Sequence, residues 1–336
     1  MGGFFIDMID VGQGDAFLLT LTGNDRDYTF LIDGGRASDD SPLVDFIKAN
    51  AGGRVDFVIG THLDDDHIGG LKAVVEKCQV GHVYLNLPPD LQKTAGLFKS
   101  HHLVELFHKS DANYEVIEKS LETAGGLLDA VKKKGLVVEP ILVGTHWDGV
   151  DVRFIVLNPT QERLNTVWQD LEKDETSMDR VLRTLQKSLG EEAPETTDMN
   201  NSGVVVEIIY QQTPYALLTA DVGADVLKEV TRGKRYPFLK VSHHGSKTGL
   251  DEALAKQLRP DTAFIPVGSN NYGHPAKEVL EMLRDTKTRT YCSSSTDYCQ
   301  KDCPSGGFGS LCHAKDRPFR EGWSATDSTK CKNNRA

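Results

Sequence analysis

The chain has 336 residues, 39% of them hydrophobic, and a net charge of -11 at pH 7. This content suffices for a buried core, and the negative charge argues against a protein whose whole surface binds nucleic acid. No apolar run approaches the roughly 18 residues that span a bilayer, and MGGFFID at the start has no basic segment before an apolar one. We therefore expect a cytoplasmic protein with no signal peptide and no membrane partner.

Short apolar segments alternate with glycine-containing turns in the first part of the chain. Residues 4–9 and 16–21 predict two strands, and the segment DVGQGD at 10–15 predicts the turn between them. Taken alone, this turn is an ordinary hairpin turn. Residues 29–33 predict a buried strand that ends in Asp-Gly-Gly, and residues 42–50 predict a helix.

Residues 61–70, reading THLDDDHIGG, follow an apolar strand and precede a helix. Four side chains that can bind metal lie within six residues: His62, Asp64, Asp66 and His67. Residues two apart on an extended segment point to the same side, so His62 and Asp64 can converge, while Asp66 and His67 face a second point. The loop therefore predicts two cations side by side. The alternative, an acidic helix cap, needs one carboxylate and no histidine.

The middle of the chain is less regular. Residues 88–135 predict a helical insertion over or beside the site, and 161–198 predict a second helical addition, for which a coiled-coil homodimer contact is the alternative. Between them, residues 136–143 and 150–157 predict a strand pair, with His146 at the tip of the connection.

Three further candidate positions follow strands in the second half. Asp221 ends an apolar strand, at the carboxyl end where open α/β sheets place their sites. His243 and His244 end the next strand, so one can bind metal while the other faces substrate; we favour His243 as the ligand, and the sequence leaves the choice open. His274 lies in a loop before a helix, where it could donate a proton to a leaving oxygen.

Together these segments resemble the metallo-β-lactamase fold signature His-x-His-x-Asp-His, which here reads His-x-Asp-x-Asp-His. That variant is similar to the soluble metallohydrolase domain of ComEC-type competence proteins. The matching segments occur in the family's order within residues 4–290: IDVGQGD, FLIDGG, THLDDDHIGG, LLTAD, LKVSHHGS and YGHP.

The resemblance implies an α/β fold, a four-layer αββα sandwich with helical insertions at about 88–135 and 161–198. It makes 1–290 one hydrolase domain and leaves 291–336 as a cysteine-rich tail. The implied metal ligands are His62, Asp64, Asp66, His67, Asp221 and His243. The implied catalytic residues are Asp66, His244 and His274. Asp33, Asn201 and Ser202 are expected behind the ligands. No histidine precedes Val204, so Asn200, Asn201, Ser202 or water could replace a nitrogen ligand there. Ser246, Lys247 and Tyr272 are the expected substrate contacts.

Two divalent cations, Mn²⁺ or Zn²⁺, are the implied cofactors. They can lower the pKa of a bound water and neutralise a phosphoryl group, and the Asp64 replacement favours manganese. The run at 228–247 holds six basic residues and one acidic residue, which suits an anionic substrate. We therefore expect a phosphodiesterase or nuclease acting on a phosphodiester, either single-stranded nucleic acid or a nucleotide. The alternatives are a hydrolase of a lactone or thioester, and a non-catalytic binding module.

Five of the six cysteines fall in the last 45 residues: Cys292, Cys299, Cys303, Cys312 and Cys331. A small zinc knuckle completed by His313, free thiols and disulfides all remain open for this tail.

Overall fold

The segments with alternating or continuous apolar character form strands in the computed structural model, which describes residues 2–37, 42–87, 112–168, 198–293, 319–323 and 331–332. The strands are β1 (Phe4–Met8), β2 (Phe17–Thr22), β3 (Asp27–Ile32), β4 (Arg54–Gly60), β5 (Gln79–Leu85), β6 (Val138–Glu139), β7 (His146–Asp148), β8 (Val152–Asn158), β9 (Val205–Tyr210), β10 (Thr213–Leu218), β11 (Phe238–Lys240), β12 (Thr262–Ile265), β13 (Arg289–Cys292), β14 (Phe319–Trp323) and β15 (Cys331–Lys332).

Helices with one apolar face follow most of the parallel strands. They are α1 (Pro42–Ala51), α2 (Asp65–Ile68), α3 (Leu71–Lys77), α4 (Ala112–Lys133), α5 (Gln161–Trp168), α6 (Asp198–Asn201), α7 (Ala224–Thr231), α8 (Glu252–Leu258) and α9 (Lys277–Asp285). No helix within the described ranges is both long and apolar enough to cross a lipid bilayer.

The strands make two mixed sheets. The first has the order β15-β14-β1-β2-β3-β4-β5-β6, and the second has the order β13-β12-β11-β10-β9-β8-β7. Strands β3 to β6 are parallel, as are β10 to β13. Parallel strands bring their carboxyl ends to one edge of a sheet. The loops after β3, β4, β10 and β11 therefore carry their polar residues to the same end of the sandwich.

Three apolar layers hold the sheets and helices together. Between the sheets, the buried rings of Phe30 and Phe154 stack with centroids 4.8 Å apart. Helices α1, α3 and α4 cover the outer face of the first sheet, and α7, α8 and α9 cover the second. This arrangement confirms the predicted four-layer αββα sandwich.

The described part of the first predicted insertion is α4. Its residues Ala124 and Leu127 join the same apolar cluster as Leu71, and Thr123 donates a hydrogen bond to Asp65 at 2.9 Å. Helix α4 therefore belongs to the outer helix layer, beside the metal loop. The rest of that insertion, 88–111, and most of the second, 169–197, lie outside the described residues, and so does the region of the predicted coiled-coil contact.

The predicted pairing of residues 136–143 with 150–157 is wrong. Strand β6 pairs with β5 in the first sheet, and β8 pairs instead with β7, which contains His146. The segment before the glycine turn crosses from one sheet to the other, a change that local apolar patterning does not encode. The boundary expected at residue 290 falls inside β13, and β14 pairs with β1. Cys78 and Cys292 are buried; Cys299, Cys303 and Cys312 lie outside the described residues.

Candidate metal centre

The metal loop is anchored by a fully buried aspartate. Asp33 accepts hydrogen bonds from Thr61 N at 2.8 Å and from Thr61 Oγ1 at 2.7 Å, and its Oδ2 lies 2.7 Å from His67 Nδ1. In the neutral form of the ring the proton therefore lies on Nδ1, which leaves a lone pair on Nε2 for a metal ion. Asp33 lies where the sequence placed an orienting carboxylate.

Four side chains converge beyond this anchor. His67 Nε2 lies 3.2 Å from Asp221 Oδ2, and His244 Nε2 lies 3.3 Å from both Asp66 Oδ2 and Asp221 Oδ2. Neither Nε2 atom has a hydrogen-bond partner, although both are buried. On His244, Nδ1 faces the carbonyl oxygen of Pro266 at 2.8 Å, so in the neutral form of the ring Nε2 also presents a lone pair.

This donor set fits a divalent metal ion. Lone pairs and carboxylates that face one another repel unless a cation or a proton lies between them. Neighbouring ligands of a tetrahedral ion at about 2.0–2.1 Å are themselves about 3.3 Å apart, and the measured separations of 3.2 and 3.3 Å match this spacing. His67, Asp221 and His244, with Asp66 beside His244, therefore have the spacing of a metal site.

The electrostatics of the cluster favour added positive charge. Burial alone would lower the pKa of His67 and His244, but Asp221 and the neighbouring carboxylates raise both pKa values well above the usual range. Burial would raise the pKa of Asp66 and Asp221, yet the nearby histidines lower both. Protons on the two rings thus supply the positive charge that a bound metal ion would supply in their place.

A second group lies on the adjoining side of the loop. His62 Nε2 is 3.3 Å from Asp64 Oδ2 and has no hydrogen-bond partner, and the His62 and His67 rings are 4.0 Å apart. The side chain of Asp64 is 38% exposed, so this part opens to solvent. Asp64 occupies the N-cap position of α2, but its side chain makes no capping hydrogen bond. The geometry therefore favours the metal-site interpretation over the helix-cap alternative.

The two adjacent histidines take different places because their backbone is left-handed. His243 and His244 have φ values of 51° and 53°, conformations that are uncommon outside glycine. This turn buries His244 against Asp66 and Asp221. His243 stays at the rim, 20% exposed, with Nε2 3.9 Å from Asp221 Oδ2. The placement favours His244 as the ligand, the reverse of the roles we expected from sequence.

Asp15 also lies in this cluster, and its oxygens can be grouped with His67, Asp221 and His244 within 4.8 Å. However, Asp15 faces the Nδ1 side of both rings, at 3.8 Å from His67 and 3.3 Å from His244. It also contacts the buried ammonium of Lys240. We therefore place Asp15 behind the ligands, because the orphaned Nε2 atoms point the other way.

Sequence reasoning missed both Asp15 and Lys240 as site residues. The available signals were weak: Asp15 ends the IDVGQGD turn, and Lys240 is a lone base in an apolar strand that leads into two histidines.

Asn201 and Ser202, which we expected behind the metal ligands, brace a loop. Asn201 Oδ1 accepts a hydrogen bond from Gly223 N at 3.0 Å, and Ser202 Oγ donates to Met199 O at 2.7 Å. The first of these bonds fixes the segment that follows Asp221. Asn201 thus positions the Asp221 loop, whereas the Ser202 bond closes the turn at the end of α6.

His274 lies at the rim, with its ring 5.5 Å from that of His243. Burial, helped by the neighbouring His243, lowers the pKa of His274 to about 4, so the ring is neutral at pH 7. This is at odds with a histidine that rests protonated as a general acid. A neutral ring can accept a proton or share one hydrogen bond.

The three expected substrate contacts differ in their exposure to solvent. Tyr272 is 68% exposed at the same rim, with its ring 5.9 Å from His274. Lys247 is exposed. Ser246 is buried and its hydroxyl lies 2.9 Å from Thr248 Oγ1, within the turn itself.

The basic run at 228–247 does not form one free cationic surface. Four of its bases pair with carboxylates: Lys228 with Asp225 and Asp251, Lys234 with Glu207, Arg235 with Asp261, and Lys240 with Asp15. Because these bases are already paired with carboxylates, the basic run is weaker evidence for an anionic substrate than the sequence suggested.

Residues 9–152 match the metallo-beta-lactamase superfamily. The chain contains a metallo-beta-lactamase domain. It is 26% identical over 300 residues to ComE operon protein 3 of Bacillus subtilis, covering 83% of this chain and 30% of that protein. It is 25% identical over 287 residues to Recombination protein 2 of Haemophilus influenzae, covering 84% of this chain and 27% of that protein.

The chain thus spans less than a third of each of these curated relatives. Among solved structures, it is similar to Igni18, a metallo hydrolase from the archaeon Ignicoccus hospitalis. The identity is 12% and the TM-score 0.41, with 86% of this chain and 94% of that chain covered. The metallo-beta-lactamase domain and its donor set place the chain among metal-dependent hydrolases.

Proposed function

We propose that the metallo-beta-lactamase domain of this chain hydrolyses phosphodiesters, as a nuclease or a nucleotide phosphodiesterase. The observation that carries the proposal is the carboxylate-rich donor set. Asp66 and Asp221 converge with His67 and His244, and Asp64 pairs with His62 beside them. Oxygen-rich two-metal sites suit phosphoryl groups, whose dispersed negative charge must be neutralised.

We propose two ion positions on the basis of these contacts. His67, His244, Asp66 and Asp221 would hold the first ion. His62 and Asp64 would hold the second. When bound, divalent ions supply a water of lowered pKa and charge that stabilises the phosphoryl oxygens. The oxygen-rich second position favours Mn²⁺ over Zn²⁺.

The chain's own residues orient this chemistry. Asp33 fixes the tautomer of His67, and the Pro266 carbonyl fixes that of His244. The open side is marked by Asp64 and His243, whose side chains are 38% and 20% exposed. A substrate entering there would meet His274, whose neutral ring can hydrogen-bond an oxygen of the scissile group.

The relatives support the same substrate class. The name Recombination protein 2 refers to recombination, a process that acts on DNA, and this protein aligns with 84% of the chain. We therefore propose single-stranded nucleic acid or a nucleotide as the partner that this site receives.

The test is a substrate panel with matched variants. Purified protein would be incubated with Mn²⁺ or Zn²⁺ and labelled single-stranded DNA, RNA, cyclic dinucleotides, a lactone and a thioester. Asp221→Asn should abolish phosphodiester cleavage. The control, Asp225→Asn, changes a side chain that is 97% exposed and should leave cleavage intact.

Each outcome separates the candidates. Cleavage of only the lactone or thioester would refute the phosphodiester proposal and favour a carbonyl hydrolase. Metal binding without turnover of any substrate would favour a binding module.

A further inference from the structure

Lys240 places a buried ammonium beside the metal centre. It is the last residue of β11, and its side chain is 1% exposed. Its Nζ lies 2.5 Å from the carbonyl oxygen of Ala220 and 3.3 Å from Asp221 Oδ1, and it also contacts the Asp15 carboxylate. The three N–H donors of the ammonium thus have three acceptors.

Lys240 makes the two carboxylate oxygens of Asp221 inequivalent. Oδ1 faces the ammonium, whereas Oδ2 faces His67 Nε2 at 3.2 Å and His244 Nε2 at 3.3 Å. Without the ammonium, the carboxylate could rotate or present both oxygens to the metal positions. Lys240 therefore determines which oxygen is available there.

Asp15 carries the effect of Lys240 to both histidines. Its Oδ1 lies 3.3 Å from His244 Nδ1 and its Oδ2 lies 3.8 Å from His67 Nδ1. Its backbone N–H donates to the Asp66 carbonyl at 3.1 Å. Asp15 thus touches three of the four members of the first ion position from behind.

The charges around the centre agree with this arrangement. Five carboxylates surround the proposed ion positions: Asp15, Asp33, Asp64, Asp66 and Asp221. Lys240 is the one buried lysine among the described residues. Its charge leaves four negative charges, which two divalent ions would balance.

We propose that Lys240 is a positioning residue of the metal centre, acting directly on Asp221 and through Asp15 on His67 and His244. The inference rests on the proposed metal centre and extends it to residues outside the ligand set. A buried ion pair that served stability alone could be replaced by a neutral pair of similar shape with little consequence. Replacement of both partners therefore tests the proposal.

The test variant is Asp15→Asn combined with Lys240→Met, which removes both charges and keeps the side-chain sizes. Mn²⁺ affinity would be measured by calorimetric titration, and the Co²⁺-loaded protein by its visible absorption spectrum, which reports ligand geometry. We expect Mn²⁺ affinity to fall about 10–100-fold, the usual effect of removing a group that orients metal ligands. The Co²⁺ spectrum should change, while thermal unfolding in chelator should show a folded protein.

A matched control exists in the second sheet. Glu207 is buried and binds Lys234 Nζ at 2.8 Å. Glu207→Gln combined with Lys234→Met removes an ion pair that contacts none of the proposed ligands among the described residues. Its Mn²⁺ affinity and Co²⁺ spectrum should match the wild type.

Mn²⁺ affinity within twofold of wild type and an unchanged Co²⁺ spectrum in the Asp15–Lys240 variant would overturn the proposal. If that variant does not fold, Asp15→Asn alone keeps an acceptor for Lys240 and should weaken Mn²⁺ binding about 10-fold; unchanged affinity there would overturn it equally. Asp221→Ala is measured in parallel. Full binding by Asp221→Ala would refute the metal centre itself, which is a different failure.

Discussion

Replacing each of the two adjacent histidines by asparagine distinguishes their roles. Asparagine tolerates the left-handed backbone that both positions adopt, with φ near 51° and 53°. In His244→Asn, the side-chain amide can still donate toward the Pro266 carbonyl, which His244 Nδ1 faces at 2.8 Å, but the metal-facing Nε2 is lost. His243→Asn is the matched change at the rim.

The expected magnitudes follow from the contacts. Binding of a structural zinc ion contributes about 10–16 kcal/mol over four ligands, so one ligand contributes about 2.5–4 kcal/mol, or about 10²–10³-fold in affinity. His244 Nε2 lies 3.3 Å from two carboxylates of the first ion position. His243 Nε2 reaches only Asp221, at 3.9 Å. We expect His244→Asn to lose about 10²–10³-fold in affinity for the tightest ion, and His243→Asn to lose at most about 10-fold.

Competition against a chromophoric chelator would measure both affinities at one pH, with circular dichroism as the control for folding. The reasoning is refuted if His243→Asn loses more affinity for the tightest ion than His244→Asn does. It is also refuted if both variants bind as tightly as wild type.

Three further outcomes are expected. Asp64→His should raise the activity with Zn²⁺ relative to Mn²⁺, because it replaces an oxygen donor by nitrogen; an unchanged ratio of the two rates would contradict the role of Asp64. His274→Ala should leave metal content intact and slow phosphodiester turnover about 10²–10³-fold, the usual cost of removing one hydrogen-bond donor from the reacting group, as measured by initial rates. The pKa values of His67 and His244 are raised by Asp221 and its neighbours against the effect of burial. Because a metal binds the neutral rings, metal affinity should fall as pH decreases and protons compete for the ring nitrogens. Calorimetric titration at several pH values measures this dependence, and an affinity that rises as pH decreases would contradict the prediction.

The local pattern of the sequence was enough for the order of elements and for the metal loop. Apolar runs of strand length, glycine turns and amphipathic segments are set by neighbouring residues, so β1 to β4, α1, α3, β10 and β11 follow closely from it. His62, Asp64, Asp66 and His67 lie on one short loop, so their proximity needed no long-range contact. Asp221 could be identified from the sequence because it ends an apolar strand.

Contacts between distant segments decided the rest. Asp15 and Lys240 meet across the two sheets, and no local pattern links residues so far apart in the chain. No local pattern links the basic run to the carboxylates that pair with it, or β6 to its partner β5 in the first sheet. The choice between His243 and His244 depended on two consecutive left-handed residues. Neighbouring side chains diverge according to backbone dihedral angles that the packing of β10, β11 and their loops imposes, so only the tertiary structure could show which ring faces Asp66 and Asp221.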